Sequence, residues 1–531
     1  MTRLKRHSKA AAALFLILIS VIALATVQDY TGSYDEYVLW NTIRVNLHEY
    51  ALLMEKVGIN WEHGLALNVE RIFEHSDRDH GLAPFYLCAP FLAQMDASLN
   101  FSSTIWCLIT LLWFLAGVWG VYGIAREMGL SRLLSCMAAL LLYLSPRLFA
   151  EGHYNDRDIV LLSVTILCLW SGLRFLKKTT LARGVVLSVF GALATNIRLM
   201  GILSWGLIGL AAVVLLTLRR EWSWRKAGVA AGTILAFLAA YTALTPATWV
   251  GPSEYFSYQF DNMAVYGWTG WMMFRSALFE IPKNPLPRYY LPYMMLTTLP
   301  LYLFPLCAAG FVRAAVQAIR QKKAFFADPF GLFLTAALLE TALPVIGCML
   351  LQPVIYNGWR HFYLALCGVL VFAAYGLQGI WQVCARKRWM KRVCAAVVCL
   401  CFGLTAAGMI ANHPHQGSYY NVLAGSHTME TDYWNSSGEA ALKKLIQSEE
   451  RNKNLPLEVG CWFFDIQNAR FKLSEEEKAV LTTTTEADAP YLYYVENYVQ
   501  NYNVPDPEGY HVLFEVESYG RLVGTMYERD I

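Results

Sequence analysis

The chain has 531 residues, 56% of them hydrophobic and only 16% charged, and its mean hydropathy is +0.36. That balance excludes an ordinary water-soluble globule, in which roughly 25% of residues are charged, and a net charge of +3 carries no nucleic-acid footprint. Twelve cysteines indicate neither a disulfide framework nor a zinc site, because no Cys-x-x-Cys pair occurs and most lie in apolar runs, where cysteine acts as a small hydrophobe.

In chain order, a basic start (Arg3, Lys5, Arg6, Lys9) precedes an apolar run from Ala10 to Val27. Ala23-x-Ala25 resembles a signal-peptidase site, but the run exceeds the ~7–15 residues of a signal core and predicts an uncleaved anchor. Residues 28–100 are too polar to cross lipid, and they open on Ser33-Tyr34-Asp35-Glu36-Tyr37. Apolar spacing over Tyr37–Val57 predicts a surface helix. The proline-interrupted stretch from Pro84 to Met95 predicts a segment dipping into the interface.

Apolar spans follow at 102–124, 133–150, 158–176, 183–198, 199–218, 227–247, 290–312, 330–351, 361–381 and 393–411, which with the first makes about eleven. The division of 183–218 rests on Asn196 and Arg198. Loops carrying Arg126 and Arg132, Lys177 and Arg183, Arg219 and Lys226, Arg313 and Lys323, and Arg386 and Arg392 then fall on the side of the basic N-terminus. The positive-inside rule places that side in the cytoplasm. The acidic first loop, the aromatic and proline-rich 248–289 loop and the C-terminus are expected outside. The 248–289 residues suit an interfacial aromatic belt or a lid over a lipid-linked substrate. From about residue 412 the chain turns polar. Strands at 457–464, 490–495, 510–517 and 522–527, with Ser436-x-x-Glu439 and Ser474-x-x-Glu477 capping boxes, predict a small α/β domain over 412–531. Residues 1–411 form the membrane domain.

Charges that a passive bundle does not need gather on the expected outer side. A charge within hydrocarbon costs at least ~2.5–3.5 kcal/mol on insertion scales, so Arg198 needs a polar cavity or a partner. Arg147, Arg157, Arg198, Arg360 and His361 are candidates to clamp a phosphate, with intramolecular ion pairs as the alternative. The run His75-Ser76-Asp77-Arg78-Asp79-His80 has metal-ligating types without fixed spacing; no metal is assigned, although a divalent ion stays open.

Several segments then align with a known family. Asp35-Glu36 after the first helix, SPRLFAEGHYNDRDI (145–159), ATNIRLMGIL (194–203), YNGWRHFY (356–363), HPHQGSYYNVLAG (413–425) and ETDYWNSSGEAALKKL (430–445) occur in order. The chain resembles polyprenyl-phosphate-sugar-dependent glycosyltransferases of the GT-C fold, the group of protein O-mannosyltransferases and the aminoarabinose transferase of lipid A. The resemblance covers the first helix to about residue 445. It implies a polytopic α-helical membrane protein with a small extracytoplasmic α/β domain, at the cell membrane. It implies inverting transfer of a hexose or pentose from a polyprenyl-phosphate donor to an envelope acceptor, which is a protein, glycolipid or wall polymer. Asp35 is then the base and Glu36 its support. Arg147, His153, Asp156, Arg157, Arg198, Arg360 and His361 are implied as phosphate- or sugar-binding positions, and no cofactor is implied. Relatives carry a histidine closely followed by two prolines in the first loop, for which His80-Gly81-Leu82-Ala83-Pro84 is a loose counterpart. Asp156 and Asp158 flanking Arg157 depart from the pattern. A lipid-linked-sugar transporter or flippase and a non-catalytic assembly protein are the competing readings, and the absence of internal repeats argues against the first.

Overall fold

The computed structural model describes residues 2–30, 36–59, 69–78, 80–264, 267–434, 436–449, 456–461, 466–470, 473–484, 488–495 and 507–530. Sixteen helices carry the account below. The first nine are α1 (Thr2–Ala25), α2 (Glu36–Lys56), α3 (Leu99–Glu127), α4 (Arg132–Tyr143), α5 (Pro146–Tyr154), α6 (Asp158–Lys177), α7 (Leu181–Ile197), α8 (Ile202–Arg219) and α9 (Trp224–Leu244). After them come α10 (Pro252–Ala264), α11 (Tyr290–Thr298), α12 (Leu303–Gln321), α13 (Pro329–Leu351), α14 (Leu366–Cys384), α15 (Arg388–Ala411) and α16 (Gly438–Glu449). Local signals set several starts: Ser98 accepts from the Phe101 amide, Ser131 from Leu134, and Asp328 from Phe330 and Gly331.

The protein is a multi-pass membrane protein. Among the described residues nine helices are long and apolar enough to cross a membrane, or ten if the bent pair α4–α5 is one span. Together with one shorter apolar helix this agrees with the expected eleven. The remaining apolar helix, α7, has 17 residues and packs against α6 and α9 within the bundle. Helix α6 is the central element, buried along nearly all of its length.

Prolines explain two departures from the expected spans. The expected 133–150 span breaks at Ser145, where the residue before Pro146 is extended and the chain turns by 70°. Every residue of α5 is thereby buried at one end of the bundle. The expected 290–312 span breaks at Leu299, which is extended ahead of Pro300. Asn421 satisfies the carbonyls released there, donating from Nδ2 to Leu296 and Leu299 and from its backbone to Thr297. The division of 183–218 lies where the residues indicate, with an extended Arg198 between α7 and the turn leading into α8.

The two ends of the bundle differ in chemistry. At one, Arg132 donates to Ser8, Lys177 pairs with Glu127, Lys226 donates to Thr179 and Arg219 to the Ala327 carbonyl. The other gathers the remaining polar loops, where His413 pairs with Asp29 at 3.0 Å and Tyr30 donates to Gln416. Segment 248–289 contains α10 and a hairpin of β1 (Gly270–Phe274) with β2 (Ala277–Ile281). The C-terminal region carries β3 (Leu457–Gly460), β4 (Leu481–Thr484), β5 (Tyr491–Val495), β6 (Tyr510–Ser518) and β7 (Arg521–Arg529) in the order β4-β3-β5-β7-β6. Pairs β3–β4 and β3–β5 are parallel, and β5–β7 and β6–β7 antiparallel. Leu442, Leu445 and Ile446 of α16 pack on Val459, Tyr493 and Met526 of this sheet. Ser474–Glu477 forms the expected capping box. At α16, by contrast, Asp432 accepts the amides and hydroxyls of both Ser436 and Ser437, while Glu439 pairs with Lys443.

Helices α12 and α14 meet backbone to backbone. A Cβ added at Gly310 would stand 1.9 Å from the Phe372 carbonyl, and one at Gly376 would stand 1.9 Å from that of Leu306. Small residues are what allow membrane helices this approach. Gly310→Ala is therefore expected to destabilise the folded protein by about 1–3 kcal/mol, the usual cost of overpacking. Gly347→Ala, at a helical position with open space around the new methyl, is the control. Melting in detergent reads both, and equal melting temperatures would contradict the close contact.

Candidate active site

The site is built around a carboxylate. Asp158 opens α6 fully buried, and its oxygens meet two guanidinium groups. Arg198 donates from Nε at 2.9 Å and Nη2 at 2.8 Å, and Arg360 Nη1 lies 3.6 Å from the second oxygen. Two cations thus share one anion, which leaves a positive charge at the cluster. Local breaks deliver the pieces. Arg198 sits in the gap between α7 and α8, and Arg360 opens a short 3-10 segment ahead of α14. The rings of Tyr356, Tyr433 and Trp434 surround the Arg360 guanidinium at 5.4, 5.1 and 4.9 Å, close enough for cation–π attraction.

Behind the carboxylate runs a chain of buried hydrogen bonds. Asn155 Oδ1 accepts the Asp158 amide at 3.0 Å, and Asn155 Nδ2 donates to Glu151 at 2.7 Å. Glu151 also accepts from the Tyr363 hydroxyl at 2.7 Å. Asp158, Asn155, Glu151 and Tyr363 were not singled out as site residues by the sequence. The signal for them was the spacing of Glu151, Asn155 and Asp158 at one-turn intervals across the end of α5.

A cavity of about 180 Å³ adjoins the cluster, and His80, Arg198, Gln259, Asn262, Tyr356 and His361 supply the polar part of its lining. The Nδ1 of His361 is buried and has no hydrogen-bond partner among the described residues. Gln259 and Asn262 come from α10, and Trp268 stacks on Tyr356 at 4.8 Å. The 248–289 segment therefore forms one wall of the cavity rather than only a belt.

The predicted residues divide. Arg198, Arg360, His361 and His80 come together as described. Arg147 sits apart, its Nη2 reaching the Tyr419 carbonyl at 3.3 Å and its guanidinium lying 4.8 Å from the centre of the Tyr420 ring. Glu430 lies close enough to both Arg147 and Arg360 to feel their charge, yet burial pushes its carboxyl up to about 8 against the backbone amides and the two arginines. It too escaped sequence reasoning.

Three of the expected binding positions have other partners in the structure. His153 stacks on Tyr30 at 4.0 Å and bonds the Phe149 carbonyl and Thr26 hydroxyl. Asp156 accepts the Trp106 indole N–H at 2.7 Å. Arg157 pairs with Asp77, which also meets His80 at 3.1 Å. Burial alone would raise the Asp77 carboxyl, but Arg157 and His80 outweigh it and hold it well below the usual range. His75 is taken up by Glu70 and Thr42. Among the described residues no three His, Cys, Asp or Glu side chains group as a metal site.

Asp35 lies outside the described residues, and Glu36 is the first residue of α2. The nearest described side chains on either side are those of Tyr30 and Leu39. Tyr30 is buried against His153 and Gln416. Leu39 is buried in a cluster with Val160, Ile197 and Leu364, which lie beside Asp158, Arg198 and Arg360 in sequence.

No protein-family model and no curated protein sequence matches the chain. The solved structure of ArnT from Cupriavidus metallidurans bound to undecaprenyl phosphate aligns with 97% of this chain and 98% of its own. The TM-score is 0.48 and the identity 14%.

Removing one member of a buried ion pair typically costs about 3–5 kcal/mol, because the partner charge is stranded. Asp158→Asn is expected to lose stability on that scale, and Arg198→Gln in the same chain to recover part of it. A double-mutant cycle on melting measures the coupling. Strict additivity would show that the two groups do not interact.

Proposed function

We propose that the protein is a membrane glycosyltransferase that moves a sugar from a polyprenyl-phosphate donor to an envelope acceptor on the outer face of the membrane. The observation that carries this reading is the pair Arg198 and Arg360 on one buried Asp158, beside a cavity with room for a small polar group. A fixed cluster with excess positive charge suits a departing phosphate, since its dipoles are already oriented when charge develops. The gathering of basic loops at the opposite end of the bundle supports a cytoplasmic N-terminus and an outward-facing site.

In this reading Asp35 is the base and Glu36 supports it. Leu39, four positions after Asp35, is buried with Val160, Ile197 and Leu364, which supports this reading. The acceptor hydroxyl loses its proton to Asp35 as its oxygen bonds to the anomeric carbon. On the opposite face the bond from that carbon to the phosphate oxygen breaks, and polyprenyl phosphate leaves with the electron pair. The configuration inverts. Arg360 and Arg147 meet the phosphate in this reading, while Arg198 makes two bonds to Asp158 and Arg157 pairs with Asp77. His80 and His361 line the cavity for the sugar.

Asp35→Asn keeps the shape of the side chain and removes its basicity. Transfer from a polyprenyl-phosphate sugar by the purified variant in lipid vesicles is expected to fall about 10²–10⁴-fold, the range of general-base effects, while melting stays unchanged. Full activity would remove the role from Asp35. Lipid flipping by the wild-type protein without transfer would instead favour a transporter.

A further inference from the structure

Helix α10 supplies two amide side chains, Gln259 and Asn262, to the small cavity beside Asp158. Two sets of bonds anchor this wall. Gln259 is buried and donates from Nε2 to the Tyr255 hydroxyl at 3.1 Å, and Tyr255 shares a 3.0 Å hydrogen bond with Tyr241 of α9. The neighbouring Tyr258 donates to the Ser76 carbonyl at 3.0 Å, and the Arg78 guanidinium lies over its ring at 3.7 Å. Helix α10 is thus tied both to the bundle and to the first loop, so its amides are held in place. The buried Nδ1 of His361, which has no hydrogen-bond partner among the described residues, belongs to the same lining. Met200, Val354 and Phe362 contribute to the apolar part.

Charge decides what this cavity suits. Arg198 and Arg360 share Asp158, which leaves one positive charge over. Among the described residues no Asp or Glu lines the cavity. A ligand ammonium placed there would give up its water beside a guanidinium, with no carboxylate in the lining to answer it. A ligand carboxylate would find the Nε–Nη2 edge of Arg198, a fork suited to it, already on Asp158. Hydroxyl groups fit what is present. Side-chain amides offer both donors and acceptors, and an imidazole nitrogen is one or the other. The C–H faces of a sugar ring fit the apolar part, in the usual combination of apolar walls and a few placed polar groups.

We propose that this cavity selects the transferred sugar as an uncharged hexose or pentose, with Gln259, Asn262 and His361 as the specificity-determining residues that read its hydroxyls. The proposal rests on the glycosyl-donor reading above and adds the chemical class of the sugar. Donors whose ring carries an amine or a carboxylate are turned away.

The test measures binding to the full-length protein in lipid nanodiscs, without acceptor. The probes are polyprenyl phosphates bearing mannose, glucose, galactose, arabinose, an aminodeoxy form of arabinose, or galacturonate, with bare polyprenyl phosphate as the control. All the glycosylated probes carry the same phosphodiester, so differences among them report the sugar. The tightest neutral donor is expected to bind at least about tenfold more tightly than either charged donor, the scale of one charge left unanswered. Gln259→Leu and Asn262→Leu should each weaken that neutral donor about tenfold, the scale of one hydrogen bond, and leave the bare lipid unchanged. Asn262→Asp, which puts a carboxylate into the lining, should shift the preference toward the amino sugar. The donor series is read on the unsubstituted protein, so a variant that fails to fold leaves the test intact. A charged donor that binds as tightly as the best neutral one, or leucine variants that bind every glycosylated donor as the wild type does, would overturn the proposal. The expected preference without transfer to any acceptor would refute the glycosyltransferase reading and keep the sugar site. Preferred transfer of an amino or uronic sugar would do the reverse.

Discussion

The charged end of this bundle depends on the buried carboxylate of Asp158. Two arginines in an apolar protein are costly unless an anion answers them, and a buried anion is costly unless cations and amides do. Asp158 meets that condition through Arg198 and Arg360. The bend at Pro146 serves the same end. It carries Glu151 and Asn155 across the top of α6, where they hold Asp158 and Tyr363 in place. The cluster is held by buried ion pairs and hydrogen bonds from several elements, so its charges are oriented in advance.

Two spaces lie at this end of the bundle. The first-loop residue His80 and the α10 residues Gln259 and Asn262 enclose the small cavity. On the other side of Arg147, a glycine contact draws α12 against α14 while α15 remains apart, so an apolar cleft reaches the same end of the bundle. Asn421 ties the segment after the last span to the Pro300 break.

Much of the fold was legible because its signals are local. Hydropathy places the spans, Arg198 marks the break between α7 and α8, and Ser474 with Glu477 caps its helix. Prolines were the main cause of error. Pro146 and Pro300 lie inside apolar runs that composition alone reads as continuous, and only the extended residue before each reveals the bend. The site was legible in residue type but not in pairing. Arg157 and Arg198 look alike in sequence, yet one meets Asp77 from the first loop and the other meets Asp158. His153 was implied as a ligand only by the resemblance, and the fold stacks it on Tyr30. Glu430 lies in a segment noted only for its resemblance, and its nearness to Arg147 and Arg360 is a matter of tertiary structure. Long-range partners of this kind leave no periodic trace.

The central claim is that a hydroxyl displaces polyprenyl phosphate from the anomeric carbon in one step across this site. The most direct measurement is the anomeric configuration of the product, read by nuclear magnetic resonance after the purified protein acts on a polyprenyl-phosphate sugar of known configuration. The account predicts a single product of inverted configuration. A product that retains the donor's configuration would contradict it.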